Sequence, residues 1–129
     1  MPETDPPLTS IRARIDAACA GAGRAPQSVT LLAVSKTRGA DEIAALADQG
    51  QRHFGENYLQ EALDKMPALA DRGLEWHFIG PIQSNKTAGI ATYCDWVHSV
   101  DRLKIARRLS EQRPANKNPL NVLIQVNVS

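Results

Sequence analysis

Three shortages in this chain each remove a class of protein. Cysteine occurs only twice, as Cys19 and Cys94. The two form neither a CxxC pair nor a Cys/His cluster at metal-ligand spacing, so they are expected as buried, reduced thiols. No stretch reaches the ~18 consecutive apolar residues of a membrane span. The N-terminal MPETDPPLTS is acidic and proline-rich and has no apolar h-region of the kind a secretory signal carries, so the expected setting is the cytoplasm. Charge of one sign is lacking too: 15 Lys and Arg face 14 Asp and Glu, a formal charge of +1. That balance argues against a bulk nucleic-acid binder, whose affinity rests on neutralising phosphates, though it leaves room for a local basic patch. Neither glycine-rich phosphate loop, GxGxxG or GxxxxGK, occurs.

What is present suits one ordinary domain. The chain has 129 residues, 43% of them apolar, enough to build a core. Residues 1–8 hold three prolines and two acids and read as a flexible tail. A helix follows, capped by Thr9 or Ser10, with Ile11, Ile15 and Cys19 repeating every four residues. From there strands and helices alternate. Strands are expected near 29–35, 52–56, 75–80, 96–100 and 121–128.

The helices between them are marked by Asp41 and Glu42 in a first turn, Gly50 at a C-cap and Pro67 as an interruption. The helix after 96–100 is expected to start at a capping Asp101 and to turn Leu103, Ile105, Ala106 and Leu109 to the core. Such alternation means right-handed βα units and a parallel sheet. The spacing suits a doubly wound sheet or a barrel.

In parallel α/β folds reactive groups gather at the C-terminal ends of the strands. Lys36 is the sharpest candidate. It ends the apolar run LLAVSKT with no turn residue before it. One reading is a snorkelling lysine; the other is an amine kept for Schiff-base chemistry. Asn57 in FGENY either binds a ligand or caps the next helix. Glu56 reads as a first-turn anion rather than a general base. His77, between Trp76 and Phe78, reads as a satisfied core group rather than a catalyst. Ser84, Asn85 and Lys86 either bind an anion or cap a helix. Arg107 and Arg108 read as a solvated helix face.

Taken together, LLAVSKT, GQRHFGENYLQEALDK, LEWHFIGPIQSNK, VHSVDRLKIARRL and PLNVLIQVNVS resemble the pyridoxal-phosphate homeostasis protein family. The likeness runs from Val29 to Ser129. It implies a fold like the N-terminal domain of alanine racemase, a (β/α)8 barrel carrying pyridoxal 5'-phosphate. Domain 9–129 would then be about half of such a TIM-like barrel, since the full fold needs ~250 residues, and the chain is expected to be the N-terminal part of a larger protein.

The resemblance implies that Lys36 carries the cofactor as a Schiff base and that Asn57 lies near it. It places the phosphate-binding loops beyond the fifth strand. It implies a protein that holds the cofactor for intracellular homeostasis and does not turn over a substrate. The alternatives are a racemase or lyase on the same barrel, or a fragment with no cofactor binding of its own. An open half-barrel is also expected to self-associate through its edge strands. Neither nucleic acid nor membrane is an expected partner.

Overall fold

The computed structural model describes residues 7–128. The chain divides into two units, one ending at Leu32 and one beginning at Ala33. The first six residues of the expected tail lie outside the described residues, as does Ser129.

The first unit is built on helix α1, Pro7–Gly21. It starts two residues before the expected cap, because proline fits a first helical turn, where its missing N–H leaves no bond unmade. Leu8 and Cys19 are its buried positions, while Ile11 is exposed. The helix closes with Gly23 in the left-handed region at φ 69°, and the Arg24 N–H bonds back to the Cys19 carbonyl at 2.9 Å.

The second unit contains β1 (Ala33–Val34), α2 (Ala40–Asp48), β2 (His53–Glu56) and α3 (Leu59–Lys65), followed by a 3-10 helix over Met66–Arg72. It continues with β3 (Glu75–Phe78), a 3-10 turn at Ser84–Lys86, α4 (Thr87–Tyr93), β4 (Trp96–Val100), α5 (Leu103–Gln112) and β5 (Asn121–Ile124). All five strands are parallel, and their spatial order is their chain order. A doubly wound sheet reverses direction at a switch point; this one does not, so the topology is that of a partial (β/α) barrel.

Two strands are shorter than expected. β1 pairs only with β2, which begins at His53. The residues before His53 close the turn after α2, with Gly50 at φ 100° and the Gln51 N–H bonded to the Leu46 carbonyl at 3.1 Å. β5 follows β4 only as far as β4 reaches: the Gln125 N–H bonds to the Val100 carbonyl at 2.8 Å, and the strand pattern ends there.

The core lies between the sheet and its helices. Phe54 and Trp76 pack with Ile43 of α2 and Leu69. Phe78 and Val97 pack with Ile90 and Ala91 of α4 and with Ile105 and Leu109 of α5. Gly89 has a packing reason: a Cβ there would meet the Leu59 side chain at 2.6 Å. Pro67 ends α3 as expected and leaves the chain in 3-10 form.

Two of the expectations on α5 fail here. Leu103 is 66% exposed rather than turned to the core. Arg108 is half-buried, and its Nε donates to the Ser84 carbonyl at 3.2 Å and to Thr87 Oγ1 at 3.1 Å, so it ties α5 to the start of α4. Cys94 is a free, buried thiol whose pKa is pushed up to about 12, chiefly by burial.

Candidate functional site

Lys36 falls in a tight turn that begins as β1 ends. The Arg38 N–H bonds to the Ser35 carbonyl at 3.0 Å, which makes Lys36 and Thr37 the central pair of a β-turn. Thr37 has φ 63°. That is the left-handed conformation a type II turn requires at its third residue, where glycine or asparagine is usual. A β-branched residue is strained there, by on the order of 1–3 kcal/mol.

Contacts on both sides hold the turn. Before Lys36, buried Ser35 donates from its Oγ to Glu56 Oε2 and, at 3.3 Å, to the Gly55 carbonyl. Its carbonyl accepts from Lys65 Nζ at 2.9 Å. After Lys36, the Thr37 N–H donates to Glu61 Oε1. Lys65 joins the two sides, with Nζ 3.0 Å from Glu56 Oε1 and 3.1 Å from Glu61 Oε1. The Thr37 N–H, then the Lys65 ammonium, hold the Glu61 carboxyl below its usual range.

Sequence reasoning missed this network. Glu56 is neither a first-turn anion nor solvent-facing: it ends β2 at 2% exposure, and Lys65 is nearly as buried at 8%.

β1 pairs with β2 at Ala33–Phe54 and Val34–Gly55, and Lys36 and Asn57 follow the ends of these two neighbouring strands. Lys36 is exposed and Asn57 half-buried. Asn57 does not cap the following helix; the N-cap position of α3 is Tyr58, without a side-chain cap bond. Its backbone is pressed against the end of β3 instead. A Cβ on Gly80 would stand 2.3 Å from the Asn57 carbonyl oxygen, so only glycine permits the approach. Ser99 Oγ donates to the Gly80 carbonyl at 2.5 Å, extending this layer to β4.

His77 is satisfied, as expected, but not alone. Its Nε2 lies 2.9 Å from His53 Nδ1, and its Nδ1 lies 2.8 Å from His98 Nε2. Trp96 stacks on it, with ring centroids 5.3 Å apart and planes 6° from parallel. Glu75 Oε2 stands 3.2 Å from His53 Nε2. If His53 Nε2 donates to that carboxylate, its Nδ1 accepts from His77 and His77 accepts from His98, which orders the whole chain in neutral form. Burial first, then the neighbouring imidazoles, lower the His77 pKa to about 4. The signal in the sequence was one histidine in each of three successive strands, as RHF, WHF and VHS.

The remaining candidates do not converge on Lys36. Ser84–Lys86 is a 3-10 turn with Asn85 and Lys86 exposed. Asp101 pairs with Arg102 at 3.4 Å rather than capping α5, whose N-cap position is Arg102. Among the described residues no group of His, Cys, Asp and Glu is arranged to hold a metal. Nor is any described helix long and apolar enough to cross a membrane.

Residues 8–129 match the family profile described as alanine racemase, N-terminal domain. The chain belongs to that family. Among its members with curated names, the pyridoxal phosphate homeostasis protein of Escherichia coli K12 is 56% identical over 125 residues, and that of Pseudomonas aeruginosa 62% over 122. Each alignment covers 95% of this chain and 53% of the relative. This alanine racemase N-terminal-type chain thus spans about half the length of the curated relatives it matches. Among solved structures, PipY of Synechococcus elongatus PCC7942 with PLP bound is similar at 42% identity and a TM-score of 0.66, over 79% of this chain and 47% of PipY.

Proposed function

We propose that this protein binds pyridoxal 5'-phosphate on Lys36, as a Schiff base, and serves to hold the cofactor inside the cell rather than to turn over a substrate. The observation that carries the reading is the Lys36 turn: an exposed lysine at a strand end, with the peptide units before and after it tied down. In a barrel, cofactors sit at the strand ends, where Lys36 follows β1.

The residues fit the group. Pyridoxal phosphate would supply an aldehyde, which the Lys36 amine would hold as a Schiff base. The family's names and the cofactor in PipY support the same choice. Asn57, whose backbone is packed against Gly80 at the end of the neighbouring strand, is the second residue of this reading. The phosphate is the part that barrel folds hold on the loops after their last strands. On this reading those loops, in the full-length protein, supply much of the affinity. The apolar residues of β5 that stand exposed here, Ile124 at 78% among them, are those the next strand would cover. The 129-residue chain by itself is expected to associate through this edge.

The test is a Lys36→Ala variant of the full-length protein. Wild type trapped with borohydride in the presence of the cofactor should carry it on the Lys36 peptide, and the variant should lose both that adduct and the visible absorbance. An adduct that persists at the same peptide overturns the assignment of Lys36. Sustained amino-acid turnover by the purified protein overturns the holding role.

A further inference from the structure

We infer that Lys65 is a positioning residue for Lys36: its buried ammonium, seated between Glu56 and Glu61, clamps the strained turn that presents the Lys36 amine. This rests on the reading that Lys36 carries the cofactor, and adds to it a device one helix away from the site.

A lysine at the end of α3 would ordinarily reach solvent along the helix surface. Lys65 instead turns inward, with 9% of its side chain exposed, and the hydrogen bonds of its ammonium bear on the Lys36 turn. It donates to the Ser35 carbonyl at 2.9 Å, to both Glu56 oxygens at 3.0 and 3.1 Å, and to Glu61 Oε1 at 3.1 Å. Glu56 in turn accepts from Ser35 Oγ, and Glu61 from the Thr37 N–H. One ammonium therefore orders two carboxylates, and each carboxylate holds one flank of Lys36.

The turn requires such a hold. Thr37 sits at φ 63°, where glycine would be at ease and threonine is not. Strain of this kind persists only where surrounding contacts over-determine it, and it collects at sites whose geometry matters. The Ser35 carbonyl carries the turn's own bond from the Arg38 N–H as well, so the Lys65 contact acts on the atom that defines the turn. Lys36 itself is exposed and depends on this backbone for its aim.

The experiment compares the full-length wild type with Glu61→Ala and with Lys65→Met/Glu56→Gln. The double substitution removes the clamp without leaving a lone buried charge. Two readouts are taken on folded protein. The first is hydrogen exchange at the Thr37 amide without cofactor. The second is the share of borohydride-trapped pyridoxal phosphate on Lys36 relative to Lys86, Lys104 and Lys117. Exchange at Thr37 is expected to quicken about tenfold in both variants, the effect of losing one charge-assisted hydrogen bond. The Lys36 share is expected to fall in both.

Wild-type exchange in either variant overturns the clamp. Faster exchange with an unchanged Lys36 share overturns the positioning role. Should the double variant not fold, Glu61→Ala decides, because Glu61 is at the surface of α3 and its loss leaves the core intact. Should wild type place no cofactor on Lys36, the cofactor reading fails by itself, and Thr37 exchange still decides the clamp.

Discussion

The two faces of the sheet hide polar groups by opposite means. On the helix side, Glu56 and Lys65 keep formal charges in the interior because each is the other's partner and both are fully hydrogen-bonded. On the other side, His53, His77 and His98 form a line of imidazoles, and the low pKa of His77 keeps that ring neutral near pH 7. A charge pair of this kind fixes geometry strongly and fails badly when halved. A neutral chain costs less to bury and responds to pH instead. The difference matches position: the charged pair lies against the Lys36 turn, which has to be held, while the imidazoles line the opposite face of the sheet.

Breaking the charged side should have the largest effect. Lys65→Met leaves Glu56 buried without its cation, and losses of this type cost about 3–5 kcal/mol. Urea unfolding of the full-length variant at pH 7 is expected to show a loss of that size. Adding Glu56→Gln should return most of it. A single variant within about 1 kcal/mol of wild type would mean that Glu56 is not held as a buried charge.

The neutral side should respond to acid. The folded pKa of His77 lies near 4, against 6.5 for the free side chain. Between those values the unfolded chain binds the proton and the folded chain does not, so stability rises with pH across that window. The contribution is complete above about pH 7 and declines as pH falls from 6.5 toward 4. By linkage the stability lost between pH 7 and pH 4.5 is about 2.5 kcal/mol. Unfolding midpoints of wild type at pH 7 and 4.5, set against those of His77→Gln, isolate this part from the carboxylates. Equal pH dependence in the two proteins would show that His77 is not the group responsible.

These two faces were unequally legible in the sequence. The alternation of strands and helices was plain, since apolar runs such as LNVLIQV and amphipathic helices such as ADEIAALAD differ in period. Lys36 and Asn57 stood out through the strand-end rule and the family resemblance. The Lys65 network was not legible. Glu61 and Lys65 stand four apart on a short helix, the spacing of an ordinary surface pair, and nothing local shows that Lys65 turns inward to Glu56. The turn itself was hidden because Thr37 occupies a position where sequence rules look for glycine. The histidine chain needed the register too: its members are 24 and 21 residues apart and meet only when β2, β3 and β4 are aligned.

A surface pair gives the smallest effect and calibrates the rest. Arg38 and Glu42 are four residues apart at 3.5 Å, with side chains 63% and 61% exposed. Both ions stay hydrated, and the basic residue precedes the acidic one, the weaker order along a helix. A double-mutant cycle with Arg38→Ala and Glu42→Ala should give a coupling of about 0.3 kcal/mol or less, vanishing in molar salt. The same cycle on Glu56 and Lys65 should give a several-fold larger coupling that salt hardly moves, because burial excludes the screening ions. If the two couplings come out alike in size and in salt dependence, burial is not what distinguishes the pair behind Lys36, and the clamp loses its physical basis.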